Sequence, residues 1–272
     1  MGMATVSDIT FATVKGNGVP ALDPRTAYSS RLSARSALYT DLQLLLADRP
    51  EALPVEEYRS LVVDENCLTR SSTSARRKLW GELRKRYLLD RRQPLFEAFF
   101  HEWRRSGSEP ERGLTAYALL ALNDRLVADL GTQWLCGNLR RAPAELRVLE
   151  VLDFIKRAAA TDHPEAMGWT EDTQLHIAQH YLASVRDFGL ARGKARKVSV
   201  RPALYGAPVR FLIRALRLMR TVDLDLVMSP IFRLLALDGI EVIDALGELN
   251  RQGELRFRMQ GDVIELEVGG LE

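Results

Sequence analysis

Between residues 188 and 222 the chain places Arg192, Lys194, Arg196, Lys197, Arg201, Arg210, Arg214, Arg217 and Arg220 without a single Asp or Glu. Between residues 69 and 92 it places Arg70, Arg76, Arg77, Lys78, Arg84, Lys85, Arg86, Arg91 and Arg92 against only Glu82 and Asp90. These segments carry +9 and +7 while the whole chain carries +2, which leaves −14 for the remaining residues. Cations concentrated in this way set up a local field that attracts a polyanion, and a near-neutral total does not cancel it at contact distance. The chemistry they predict is phosphate binding rather than bond making.

Other constellations offer less. His176 and His180 stand four apart and could share a metal on one helix face, but no Glu follows His176 and Gln179 is a poor ligand. A packed or solvated histidine pair is the expected reading. His101-Glu102 lacks a second histidine four residues on, Lys15-Gly16-Asn17-Gly18 is too short for a phosphate loop, and no Gly-x-Ser-x-Gly occurs. Cys67 and Cys136 have no paired spacing, which excludes a disulfide scaffold and a cysteine zinc site and suits a reducing cytoplasm. No apolar run approaches the roughly 18 residues of a membrane span. The sequence therefore predicts a cytoplasmic protein that is not an enzyme and uses no metal or cofactor.

The elements that must position the cations are mostly helices. Residues 1–27, with Gly16, Gly18, Pro20 and Pro24, read as an extended arm. Leu32, Leu38, Leu42, Leu45 and Leu46 predict a helix from Ser29 to the Arg49-Pro50 stop, and a short helix follows Pro54 over about 54–63. A polar turn then leads into a helix over 74–89. Further helices are expected over 94–106, 112–129, 131–139 and 143–160, with Thr161-Asp162-His163-Pro164 as a linker. Beyond it come a helix from Trp169 to Asp187, a strand over 196–201, and helices over 208–220, 230–237 and 239–251. A closing hairpin is expected at 254–259 and 263–268. The predicted fold class is mainly α: a helical domain over 28–163 with a helix-turn-helix-like element, then a winged-helix-like α+β half over 164–272.

In the helix over 74–89, Ala75, Leu79, Leu83 and Tyr87 form the core face, and Arg77, Lys78, Arg84 and Lys85 fall opposite. Arg70, Ser72 and Thr73 precede it, where hydroxyls can cap the helix or donate to phosphate. In the later segment Arg192, Lys194, Arg196 and Lys197 are expected at a hairpin tip, and Arg210, Arg214 and Arg217 form an i, i+4, i+7 stripe. The alternative for that stripe is neutralisation inside the fold by acidic helices, which the −14 remainder allows. The two basic segments are expected to share one face. In the closing hairpin, Arg256 and Arg258 alternate against Glu265 and Glu267, a pattern of sheet stabilisation.

Three stretches resemble a known family: Tyr28-Ser29-Ser30-Arg31-Leu32, the block from Asn66 through Ser74 to Arg77, and Val185-Arg186-Asp187-Phe188-Gly189-Leu190. They resemble BrxA, a core component of bacteriophage exclusion (BREX) defence, over about residues 28–268. The resemblance implies a largely helical, DNA-binding protein without known enzymatic activity, likened in fold to the antitermination factor NusB. It would act beside a methyltransferase, an ATPase and an alkaline-phosphatase-like partner. Together these readings predict a double-stranded-DNA-binding defence component. The alternatives are an RNA-binding antitermination-like factor and an adaptor docking acidic protein partners.

Overall fold

The structure is a computed structural model that describes residues 23, 25–261 and 263–269. Most of the arm expected over 1–27, including Lys15-Gly16-Asn17-Gly18, lies outside the described residues. The helix expected from Ser29 is reduced to a 3₁₀ turn at Arg31–Ser33, and α1 (Tyr39–Leu46) starts only after Leu38 takes left-handed backbone with φ 59°. α2 (Val55–Arg59) follows Pro54 and widens into a π-helical turn, Ser60–Asp64. α3 (Thr73–Tyr87) is capped by the Ser72 side chain, which accepts from the Ala75 N–H at 3.2 Å, and is closed by left-handed Leu88.

α4 (Pro94–Arg105) opens on proline, whose missing N–H costs nothing at a first turn. α5 (Glu109–Asn123) is buried from Gly113 to Asn123, the pattern of a helix covered on all sides. α6 (Arg125–Asp129), a π-helical stretch at Leu130–Leu135 and α7 (Cys136–Arg140) run as one irregular rod. The short strand β1 (Glu145–Leu146) then leads into α8 (Val148–Ala160). α9 (Glu171–Asp187) is followed by a small hairpin, β2 (Ala191–Arg192) and β3 (Lys197–Ser199). α10 (Gly206–Leu218), α11 (Asp223–Val227), a 3₁₀ stretch at Pro230–Leu235 and α12 (Ile240–Arg251) precede the closing hairpin, β4 (Arg256–Gln260) and β5 (Val263–Glu267). The expected class holds: the protein is mainly helical with small antiparallel ribbons in its C-terminal part. In that part α9 runs into the β2–β3 hairpin and α12 into the β4–β5 hairpin.

The expected division at residues 161–164 does not separate two cores. α10 packs against α4 and α5, and α9 packs on α8 and on the Arg31–Ser33 turn. β1, from before the supposed linker, pairs with β3 from after it, in sheet order β1-β3-β2. One apolar cluster runs from Tyr28 to Val268. The linker residue His163 is itself buried, stacked on the Tyr28 ring at 3.6 Å and 3.0 Å from Glu165. The polar composition suggests a linker, but the stack on Tyr28 and the contact with Glu165 hold His163 in the core.

Candidate nucleic-acid interface

Tertiary contacts hold α3 like a rail. Leu79, Trp80, Leu83 and Tyr87 are buried on one side, and each large apolar side chain so covered contributes about 1.5–3 kcal/mol. The Tyr87 hydroxyl donates to the Ala37 carbonyl at 2.7 Å, and its burial raises its pKa far above the ordinary phenol range. At the other end Arg76 donates to the Val63 carbonyl at 2.6 Å, which ties α3 back to the π-helical turn after α2. The turn between them needs left-handed backbone at Asn66 and Thr69, and the Asn66 carboxamide oxygen accepts from the Arg70 N–H at 2.7 Å.

On the opposite side Arg77, Lys78, Arg84 and Lys85 are all exposed. None of the four forms an ion pair or side-chain hydrogen bond among the described residues. Ser71 to Ser74 are exposed at the start of the helix. Ser72 and Thr73 are partly engaged, Ser72 as the cap and Thr73 as acceptor of an Arg76 N–H at 3.0 Å. Arg70 stands apart from this set. Its guanidinium is held by Asp41 and by the Leu68 carbonyl at 3.1 Å, so it braces the turn.

The rail extends beyond α3 in a way sequence reasoning missed. Arg86, only 1% exposed, donates to the carbonyls of Arg31 at 3.0 Å, Arg35 at 2.9 Å and Ser36 at 3.2 Å, and pairs with Glu82. Arg31 in turn donates to the carbonyls of Asn123 at 3.3 Å and Lys85 at 3.5 Å. Arg86 thus pins the 31–36 segment beside the C-terminal end of α3, and exposed Arg31 and Arg35 lengthen its basic side. The i, i+4 pair Glu82–Arg86 was the one sequence sign that this arginine differs from its neighbours.

The hairpin tip is placed as expected. Gly193 turns with φ 92°, and an added Cβ there would collide with the Arg196 carbonyl. Arg192 and Lys194 are exposed and unpaired among the described residues. Arg196 reaches Glu145 at 3.2 Å, and the Lys197 ammonium donates to the Lys194 carbonyl at 3.1 Å. Glu145 is held below the usual carboxylate range by Arg147 and then Arg196.

The stripe on α10 is not a surface, which corrects the sequence expectation. Arg210 and Arg214 are 2% and 7% exposed and converge on the fully buried Glu102 of α4. Arg210 Nε lies 2.7 Å from Glu102 Oε2 and Arg214 Nε lies 2.9 Å from Glu102 Oε1, while Glu254 supplies a second carboxylate to Arg210. Arg217 reaches the surface, but its guanidinium donates to the Leu266 carbonyl. Within the acid-free segment, Arg210 and Arg214 are neutralised from across the fold, the alternative that the −14 remainder allowed for the stripe. A single face made of Arg77, Arg84, Arg210 and Arg214 therefore does not exist.

The histidine pair is structural. His180 Nδ1 donates to the Leu32 carbonyl at 2.6 Å, and His176 stacks on it and lies 3.3 Å from Asp172. Among the described residues no three His, Cys, Asp or Glu side chains are grouped to hold a metal ion, and no helix is long and apolar enough to cross a membrane.

Fold and surface together define a helical protein with ribbon-bearing C-terminal elements and a braced basic helix. The chain belongs to the BrxA family, whose model matches residues 26–216, and it is thereby a component of BREX phage defence. A search among curated proteins found no match.

Proposed function

We propose that the protein is a non-catalytic BREX component that holds double-stranded DNA by its phosphates, through α3 and the tip of the β2–β3 hairpin. One observation carries the reading: Arg77, Lys78, Arg84 and Lys85 lie exposed and unpaired on one rigid helix. Several surface arginines elsewhere in the protein pair with acids, as in Arg59–Asp64, Arg92–Glu56 and Arg140–Glu241. Like charges left together on a braced helix repel, and a polyanion relieves that cost. Arg31 and Arg35 add exposed cations beside the C-terminal end of α3, and Arg192 and Lys194 offer a second reach from the hairpin. Few amide side chains stand among these cations, so contacts position the duplex more than they read it.

Duplex is favoured over single strands because Trp80 and Trp103 are buried and Trp134 and Trp169 pack against the core, which leaves few aromatic faces to stack on bases. The remaining BREX components, a methyltransferase, an ATPase and a phosphatase-like protein, are the partners that family membership suggests, and the cytoplasm is where such partners and DNA meet. The test is fluorescence anisotropy with a mixed-sequence duplex and a single-stranded RNA competitor. Changing Arg77, Lys78, Arg84 and Lys85 together to Gln should weaken duplex binding roughly tenfold or more. The melting temperature should stay put, because all four are exposed. Unchanged affinity in that variant would sink the reading.

A further inference from the structure

The end of α4, α10 and the C-terminal hairpin enclose a cleft of about 730 Å³, almost entirely beyond the residues matched by the family model. Arg105, Arg217, Arg256 and Asn250 line it, with Glu254 and Glu267 as its acids. Both acids are already engaged: Glu254 pairs with Arg210, and Glu267 lies 3.5 Å from Arg256. Arg210 and Arg214 are balanced by Glu102 and Glu254, and Arg256 by Glu267. Arg105 and Arg217 are what remains.

Neither of these two forms an ion pair among the described residues. Arg105 donates to the Gly269 carbonyl at 3.2 Å, the same carbonyl that Arg214 holds at 2.6 Å, and Arg217 donates to the Leu266 carbonyl. Burial, and then the Arg214 charge, depress the Arg217 pKa from the usual guanidinium value against the opposing attraction of Glu267. Asn250 accepts from the Phe257 N–H with its carboxamide oxygen at 3.1 Å, which leaves its NH₂ to donate into the cleft. Two excess positive charges and an amide donor thus meet in one concavity of the size that takes small ligands.

We propose that this cleft binds a phosphate-bearing anion, with Arg105 and Arg217 as its charge partners and Asn250 as a hydrogen-bond donor. Planar guanidinium groups suit phosphoryl oxygens, and two of them match a dianion. The site is separate from α3 and does not depend on the duplex reading. Phosphate could arrive on a free nucleotide or polyphosphate, or within a nucleic-acid backbone.

The experiment is calorimetric titration of the full chain with pyrophosphate, against sodium chloride of matched ionic strength. Binding is expected for the unaltered protein, weakened at least about tenfold when Arg105 and Arg217 are both changed to Gln, the loss expected when charge-assisted bonds go. Glu267→Gln, at the exposed lip of the cleft, should tighten binding, and it decides the matter if the double variant fails to fold. ATP and a short duplex then compete against pyrophosphate: displacement by ATP alone assigns a free nucleotide, and displacement by duplex assigns backbone phosphate. No heat beyond that of chloride overturns the proposal, as does identical binding in the unaltered protein and Glu267→Gln.

Discussion

Changing Glu102 to Gln should be among the most damaging isosteric substitutions in this protein. The Glu102 side chain is 0% exposed and accepts two charge-assisted hydrogen bonds, from Arg210 at 2.7 Å and from Arg214 at 2.9 Å. Glutamine keeps the shape but removes the charge and turns one acceptor into a donor facing a guanidinium. Arg210 would then keep only Glu254, which is itself 40% exposed, and Arg214 only the Gly269 carbonyl. Breaking a buried pair by removing one partner typically costs about 3–5 kcal/mol. For a chain of this size that is a fall of roughly 10 °C in melting temperature. The assay is urea unfolding followed by circular dichroism, with a calorimetric melt as a second readout. Replacing the whole group with apolar residues, Glu102→Leu with Arg210→Met and Arg214→Met, should cost less than Glu102→Gln alone, since no charge is left stranded. A loss below about 1 kcal/mol for Glu102→Gln would refute the buried-triad account and return the α10 stripe to the surface.

Three further outcomes follow from the packing. Asp124 caps α6, accepting from Val127 N–H at 3.3 Å and from the Ser29 hydroxyl at 2.6 Å, and its burial raises its pKa above the ordinary aspartate value. A raised folded pKa means that the folded state binds the extra proton. Its contribution is therefore fully present below the unfolded aspartate pKa and is lost as pH rises through the folded one; unfolding measured against pH should show this loss in the unaltered protein and not in Asp124→Asn. Gly131→Ala should destabilise by about 1–3 kcal/mol in a thermal melt, because the new Cβ would strike the Tyr117 hydroxyl and come within 2.5 Å of Leu234. Arg86→Gln should weaken duplex binding although the side chain is buried, since it releases the 31–36 segment from α3; anisotropy with duplex reads this, and Arg86→Lys, which keeps the charge without the fork, should not rescue it.

Local signals in the sequence were faithful where the structure is local. The start of α3 follows from Ser72 and its sides from a four-residue apolar repeat, and both hairpins follow from glycine-bearing turns between alternating residues. The exposed cations of α3 were legible for the same reason, since a helical wheel needs only the helix. Arg210 and Arg214 were not, because their burial depends on Glu102, more than a hundred residues away in the chain. A hint was nevertheless present: Val209, Phe211, Leu212, Ile213, Ala215 and Leu216 surround the stripe, and all are buried. A helix apolar on nearly every side has little room for a solvated arginine face. His163 misled in the opposite direction, since its polar neighbours resemble a linker and its partners Tyr28 and Asp129 come from other segments. The π-helical stretch at Leu130–Leu135 left no sequence sign beyond Gly131, whose missing side chain admits Tyr117 and Leu234.

The account rests on six unpaired cations, Arg77, Lys78, Arg84, Lys85, Arg192 and Lys194, meeting phosphate. Duplex affinity measured across a salt series tests it most directly. If all six neutralise phosphates, log K should fall against log salt with a slope of roughly −5, and the fourfold Gln variant of α3 should flatten it to about −2. Arg210→Gln, by contrast, should leave the slope unchanged while lowering stability, because that arginine faces Glu102 rather than solvent. A flat response in the unaltered protein, or a slope that falls with Arg210→Gln and not with the α3 variant, would contradict the account.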